Sequence, residues 1–125
     1  MKVLLDTKAF LRWTLDEGLP RRVKRRLSRP DTQCYVSIVS VWEICIKKSL
    51  NRRATEVEAA IQAINARLLP IEFMHLDELT HLAWFENHRD PFDRLLVAQA
   101  ISEDLTMISS DQRFTNYQRL KLLWD

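Results

Sequence analysis

Four acids interrupt apolar sequence: Asp6 after Val3-Leu-Leu5, Glu43 inside Ser40-Val-Trp-Glu-Ile44, Asp93 inside Asp90-Pro-Phe-Asp-Arg94, and Asp111 after Met107-Ile-Ser-Ser110. An isolated ionised carboxylate among core-forming residues is costly. Each acid also has an ordinary structural explanation. Asp93 suits the first turn of a helix, where the dipole favours negative charge. Asp111 suits a turn, and Glu43 is spaced for an i,i+4 bridge to Lys47. These explanations do not account for all four falling at strand ends or near helix starts. If the four met at about 5 Å, each pair would cost roughly 3 kcal/mol at an effective dielectric of about 20. Six such pairs approach about 20 kcal/mol, more than the ~5–15 kcal/mol that stabilises a whole domain. Such a cluster requires protonated acids or a divalent cation, and hard oxygen ligands suit Mg²⁺ or Mn²⁺ better than Zn²⁺.

The elements that would position these acids are readable from the pattern. Lys2–Leu5 is a short apolar run, read as a buried strand. Thr7 is placed to cap a helix through Ala9, Phe10, Trp13 and Thr14 that stops at Gly18-Leu-Pro20. A second helix is expected over Arg21–Arg29 and a strand over Cys34–Ser37. Ser37 or Ser40 then caps a helix through Val41, Ile44, Cys45 and Lys48. From Thr55, Val57, Ala60, Ile61, Ile64 and Leu68 share one helical face. Leu69–Phe73 is a candidate strand with Pro70 at its edge, followed by a helix over Leu76–Phe85. Asp90-Pro91 opens a helix with Leu95, Leu96, Ala98, Gln99 and Ile101 towards the core. Leu105–Ser109 and Leu120–Trp124 are the last strands, with a turn or short helical piece between them at Asp111–Tyr117. Short apolar strands alternating with helices predict a parallel sheet with helices on both faces. In such sheets ligands bind beyond the carboxyl ends of the strands, where Asp6 and Asp111 fall.

Composition narrows the classes. The 125 residues are 46% apolar and 29% charged, a globular composition and a length for one domain, residues 1–125. No apolar run approaches the ~20 residues of a membrane span. The N-terminus has one Lys and then reaches Asp6, which is unlike a signal peptide, so a cytoplasmic location is expected. Gly18 is the one glycine, where average usage of about 7% would give about nine. Walker A and dinucleotide-binding loops are therefore excluded. Cys34 and Cys45 are too far apart for a Cys-x-x-Cys pair and read as two buried, reduced thiols. Charge is unevenly placed: Pro20–Arg53 holds ten Lys or Arg against two acids, leaving nine against fifteen elsewhere. That is the asymmetry of a polyanion-binding protein with a metal site, or of a solvated basic helix face. Charge alone does not separate the two.

In order along the chain, Leu4-Leu-Asp-Thr7, Trp42-Glu-Ile44 with Lys47, His88-Arg-Asp-Pro-Phe-Asp-Arg-Leu-Leu-Val-Ala98, and Ser109-Ser-Asp111 with Phe114 and Tyr117 resemble the PIN-domain ribonucleases. Among these the sequence is most similar to VapC-type toxins of type II toxin–antitoxin systems. The resemblance implies a three-layer α/β/α sandwich around a central parallel sheet of four to five strands. It further implies a Mg²⁺- or Mn²⁺-dependent endoribonuclease, and a homodimer held inactive by a cognate VapB-type antitoxin. The metal-site acids carried over are Asp6, Glu43, Asp93 and Asp111, with Thr7, Asp90 and Ser109 beside them. Lys8 departs from the pattern, since relatives often have His there, and this bears on the site's entrance.

On this reading Asp6 and Asp93 hold the principal ion and Glu43 and Asp111 complete its surroundings. In-line attack of an activated water on phosphorus then leaves 5′-phosphate and 3′-hydroxyl ends. None of His75, His81 and His88 has a context that marks it as catalytic, which disfavours a 2′-hydroxyl cyclising ribonuclease. Arg21, Arg22, Lys24, Arg25 and Arg26 could track RNA phosphates, or form an exposed face held by Val23 and Leu27. Trp13 and Trp42 could stack on bases or pack internally. Two other classes compete. A phosphotransfer domain would want an acid where Lys8 stands, or paired N-terminal acids. A non-catalytic PIN-fold module would bind RNA or a protein without cutting.

Overall fold

The computed structural model describes residues 1–124. Five parallel strands, β1 (Lys2–Leu5), β2 (Gln33–Ser37), β3 (Arg67–Leu69), β4 (Thr106–Ile108) and β5 (Lys121–Leu123), form one sheet in the order β3-β2-β1-β4-β5. Six helices connect them: α1 (Thr7–Leu15), α2 (Arg21–Leu27), α3 (Ile38–Ile46), α4 (Ala54–Ala63), α5 (Phe73–Thr80) and α6 (Pro91–Ser102), with a short 3₁₀ turn at Gln112–Asn116. Parallel strands require such crossovers.

Central β1 shows why both faces need cover. Val3, Leu4 and Leu5 are all fully buried, and period-2 alternation sends them opposite ways. Val3 and Leu5 pack with Phe10, Val23, Ile44 and Val57 from α1 to α4. Leu4 packs with Leu96, Ala100, Met107 and Phe114 on the α6 side. The three-layer parallel α/β sandwich expected from the pattern is present. The chain winds β1, β2, β3 outward on one side and then returns across the sheet to β4, so strand order reverses between β1 and β4.

The departures from the expected elements have local causes. Asp6, not Thr7, caps α1: its Oδ1 accepts from the Ala9 N–H at 2.8 Å, and Thr7 is the first helical residue. The helix ends at Leu15, before Gly18, because Asp16 adopts a left-handed conformation (φ 50°). In a chain with one glycine, Asp16, Asn51, Asn65 and Asp104 take the positive-φ positions, as short polar side chains can. Asn65 ends the α4 pattern, so Leu68 is not on that helical face but in β3, 49% exposed. β3 stops at Leu69 rather than reaching Phe73, since Pro70 has no N–H to donate to a ladder. Phe73 instead opens α5, which therefore begins earlier than Leu76. Ser37 caps α3 by accepting from the Val39 N–H at 3.0 Å, and the helix ends at Ile46, short of Lys48. Cys34 is buried but Cys45 is exposed, so one of the two expected buried thiols is not.

A buried polar chain braces α6. Ser37 donates to Gln99 Oε1, and the Gln99 amide donates to the Pro70 carbonyl at 3.1 Å and lies 3.3 Å from His75 Nδ1. His75 Nε2 meets Glu103 at 2.8 Å. His75 is thus a satisfied core residue.

Leu4 makes its contacts from the centre of the sheet with no solvent exposure. Leu4→Ala should therefore lower unfolding free energy by about 3 kcal/mol, read as a reduced urea midpoint with an unchanged slope.

Candidate functional site

The reversal in strand order leaves a crevice beyond the carboxyl ends of β1 and β4, where open parallel sheets bind ligands. Asp6, Glu43, Asp90, Asp93 and Asp111 all line this one cavity of about 550 Å³. Three cations share its wall: Lys8, Lys47 and Arg113.

Asp6 follows β1 directly. Its backbone N–H continues the β1–β4 pairing by donating to the Ile108 carbonyl at 3.1 Å, while its carboxylate caps α1. Burial pushes its carboxyl up from the ordinary 3.8 to about 6. Hydrogen bonding from the Ser109 hydroxyl and the Ala9 N–H works against that rise, and the charges of Asp93 and Asp111 add to it. Ser109, 2% exposed, also accepts from the Asp111 N–H at 3.1 Å. It therefore links the two acids at the strand ends.

Glu43 lies in the second turn of α3, further from the helix start than the sequence pattern implied, because α3 begins at Ile38. It is 5% exposed. Thr7 donates to its Oε1 and Lys47 to its Oε2. Freed from capping, the Thr7 hydroxyl spans α1 and α3 and also lies 3.0 Å from Ser40 Oγ. The i,i+4 pair with Lys47 exists, and it sits at the cavity rather than on a solvated face. Glu43, Asp90 and Asp93 together hold the Lys47 ammonium above the usual lysine range.

Asp90 caps α6, its Oδ1 accepting from the Phe92 and Asp93 N–H groups at 2.8 and 3.2 Å. Asp93, in the first turn, points into the cavity. Burial raises its pKa; the bond from His88 opposes this, and Asp90 and Glu43 reinforce it. Asp111 differs. Arg113 grips both its oxygens, with Nη2 to Oδ2 at 2.7 Å, and holds its carboxyl below the usual range. Arg113 Nη2 also lies 4.0 Å from Asp93.

His88, Lys47 and Arg113 are the contributors that the sequence did not single out for the site. His88 is fully buried with Nε2 3.0 Å from Asp93 Oδ2, wedged edge-on against Phe114 and Tyr117. Its Nδ1 is buried with no partner among the described residues. Ligand atoms of His88, Asp93 and Asp111 all lie within 4.8 Å of one another. No sequence signal separates His88 from an ordinary core histidine, because its contact with Asp93 is made by the fold. His81 is exposed and elsewhere. Arg21, Arg22, Lys24, Arg25 and Arg26 are not brought to the acids: they lie on α2, where Val23 is the buried residue, and Lys24 pairs with Asp16 at 3.1 Å. Trp42 is 53% exposed and meets Phe92 edge-on at 4.9 Å; Trp13 is half-buried against the core.

The donor set fits a hard divalent cation. Its atoms are carboxylate oxygens, and the Asp6 carboxyl resists ionisation chiefly because it is buried, with the nearby charges of Asp93 and Asp111 adding to the effect.

Residues 3–120 match the model of the PIN domain. The chain belongs to the PIN-domain family. Its backbone is similar to chains in three crystal structures: VapBC2 from Rickettsia felis bound to a DNA fragment from its promoter, DNA-bound VapBC from Salmonella typhimurium, and VapBC-5 from Mycobacterium tuberculosis, a member of the VapBC family of toxin–antitoxin systems. Their TM-scores are 0.76, 0.70 and 0.64 at 14%, 16% and 18% identity, covering 100%, 98% and 99% of this chain and 100%, 97% and 98% of those chains. No curated protein matches the sequence.

The acid cluster of this PIN domain has a measurable thermodynamic signature. An acid whose pKa is raised on folding destabilises the folded state above that pKa and not below its unfolded value. For Asp6 the rise from 3.8 to about 6 corresponds to about 3 kcal/mol lost as pH climbs through that interval. Asn retains the helix cap without the charge. In metal-free protein Asp6→Asn should therefore raise stability by up to about 3 kcal/mol at pH 8 and leave it unchanged near pH 3, measured by urea unfolding at both pH values.

Proposed function

We propose that this PIN domain is a VapC-type toxin: a Mg²⁺- or Mn²⁺-dependent endoribonuclease, acting as one domain over residues 1–125. The observation that carries the proposal is the convergence of Asp6, Glu43, Asp93 and Asp111 on one cavity at the switch point of the sheet. Asp6 and Asp93 are the principal ligands in this reading, and Glu43 and Asp111 complete the set. A bound Mg²⁺ or Mn²⁺ supplies Lewis-acid polarisation of a phosphate oxygen and acidifies a water.

The remaining work falls to the chain. His88 fixes the rotamer of Asp93, and Ser109 ties Asp6 to the loop that carries Asp111. Thr7 and Lys47 hold the two oxygens of Glu43 in a set orientation. Lys8, Lys47 and Arg113 ring the cavity and offset the repulsion a phosphodiester would meet from the acids. In-line attack by water gives 5′-phosphate and 3′-hydroxyl products. Similarity to chains of VapBC structures supports a VapB-type antitoxin as partner; a homodimer is part of the same proposal. The described residues contain no helix long and apolar enough to cross a membrane, which accords with work in the cytoplasm.

Incubation with total cellular RNA and Mg²⁺ or Mn²⁺, followed by mapping of the cut ends, tests the reaction. Wild type should produce 5′-phosphate ends, and Asp93→Asn should produce none above background while remaining folded. Ends bearing 2′,3′-cyclic phosphate would exclude the mechanism. RNA bound but left uncut with either metal would mark a non-catalytic module. His88→Gln should lower activity about 10–100-fold, the usual cost of removing a group that orients a ligand.

Metal binding has its own readout. Mg²⁺ at about 100 times its Kd should stabilise wild type by about 2.7 kcal/mol, and a chelator should reverse the gain. The shift should be lost in Asp93→Asn.

A further inference from the structure

Beside the acid cavity lies a second concavity, of about 370 Å³, formed by the end of α3, the following loop and the start of α4. Its charged lining is Lys47, Lys48, Arg52 and Arg53, with Glu56 as the one acid. Lys47 lines both concavities, so the two lie next to each other. The cations of this groove are poorly matched by carboxylates. Lys47 is committed to Glu43, and Arg53 reaches Glu56 only at 4.0 Å, both residues being exposed. Among the described residues Lys48 and Arg52 make no ion pair. Arg52 is nevertheless half-buried, so part of its side chain is held against the groove wall with no carboxylate partner among the described residues. The α2 run differs in that it lines neither concavity, Lys24 pairs with Asp16, and Arg29 beyond it pairs with Asp31.

We propose that the groove formed by Lys48, Arg52 and Arg53 binds the phosphate backbone of single-stranded RNA next to the bond being cut, with Lys47 at the junction between groove and acid cavity. The inference rests on the ribonuclease reading above and names the surface that holds the substrate. Two cations free of carboxylates in a concave site suit a flexible polyanion, and the groove's open side and few aromatic neighbours favour backbone contacts over base readout.

Cys45 provides a reporter. It is exposed and lines the groove, whereas Cys34 is buried and its thiol is pushed up to about 12. Alkylation by iodoacetamide, followed by intact mass, therefore reads Cys45. In chelator, where RNA is not cut, a fluorescein-labelled oligouridylate should slow alkylation of wild type. Polyglutamate serves as the acidic-polypeptide control. The double variant Lys48→Glu/Arg52→Glu should bind the oligouridylate at least 10-fold more weakly. The slope of log affinity against log salt should become shallower by about 1.4, or about 0.7 per lost phosphate contact. With metal, KM for RNA should rise while kcat is retained. Arg25→Glu/Arg26→Glu, the comparison on α2, should change these quantities less. The proposal is overturned if RNA binds without protecting Cys45, if the groove variant keeps wild-type affinity and slope, or if the α2 variant is the more damaging. It is equally overturned if polyglutamate protects Cys45 and the oligouridylate does not, which would make the groove a protein-binding surface. Failure of wild type to cut RNA would instead count against the ribonuclease reading, since protection of Cys45 is measured without cleavage.

Discussion

The confinement of several carboxylates in one partly buried cavity is the constraint around which this molecule is arranged. Asp6, Glu43, Asp93 and Asp111 come from four separate elements and converge on one cavity. At separations of about 5 Å, six such pairs unopposed would exceed the stability of a domain this size. The structure distributes the cost unevenly. Asp111 is compensated by a two-oxygen grip from Arg113, and Glu43 by Lys47 and Thr7. Asp6 and Asp93 face no cation as close, and theirs are the carboxyls pushed upward. Protonation and an added metal are thus not the only ways to tolerate the cluster, because the protein's own cations carry part of the load. What they leave uncompensated is concentrated at the two acids where a divalent ion would gain most.

The elements that hold these two acids are the most deeply buried in the fold. β1 is fully buried from Val3 to Leu5, and α6 is buried from Arg94 to Ala100. Leu95 to Ala100 pack one side of the sheet, and Gln99 anchors α6 through Ser37, Pro70 and His75. A carboxylate can be kept close to its neighbours only if the backbone carrying it cannot retreat, and the packed core supplies that resistance. The buried His88, wedged between Phe114, Tyr117 and Asp93, extends the same rigidity to one side chain.

Much of this was legible in the sequence for a physical reason. A buried strand ending in an acid, such as Val3-Leu-Leu-Asp6, and an Asp-Pro helix start carry their signals in adjacent residues. Signals that depended on distant partners were harder to read. The Lys47 pair with Glu43 looks like an ordinary helix-surface bridge until α1 and α6 close over it. His88 has no feature of its own that separates a core histidine from one aimed at Asp93. Arg113 could equally have pointed to solvent. β3 was displaced because Leu68 fits the helical period of α4 as well as a strand, and only the left-handed Asn65 decides between them. Cys45 is exposed next to buried Ile44, a distinction that depends on helix phase and not on composition.

The split of charge along the chain acquires a meaning once the fold is known. The basic stretch from Pro20 to Arg53 covers two places with different electrostatic fates. On α2 and its flanks, Asp16 and Asp31 neutralise two of the cations nearby. After α3, Lys48 and Arg52 have no such partners among the described residues and stand beside a pocket of acids. Lys47, paired with Glu43, stands at the boundary between them. The arrangement keeps two regions of opposite sign separate but adjacent, one suited to a metal cation and the other to a polyanion. On the proposed reading, a phosphodiester substrate engages both at once.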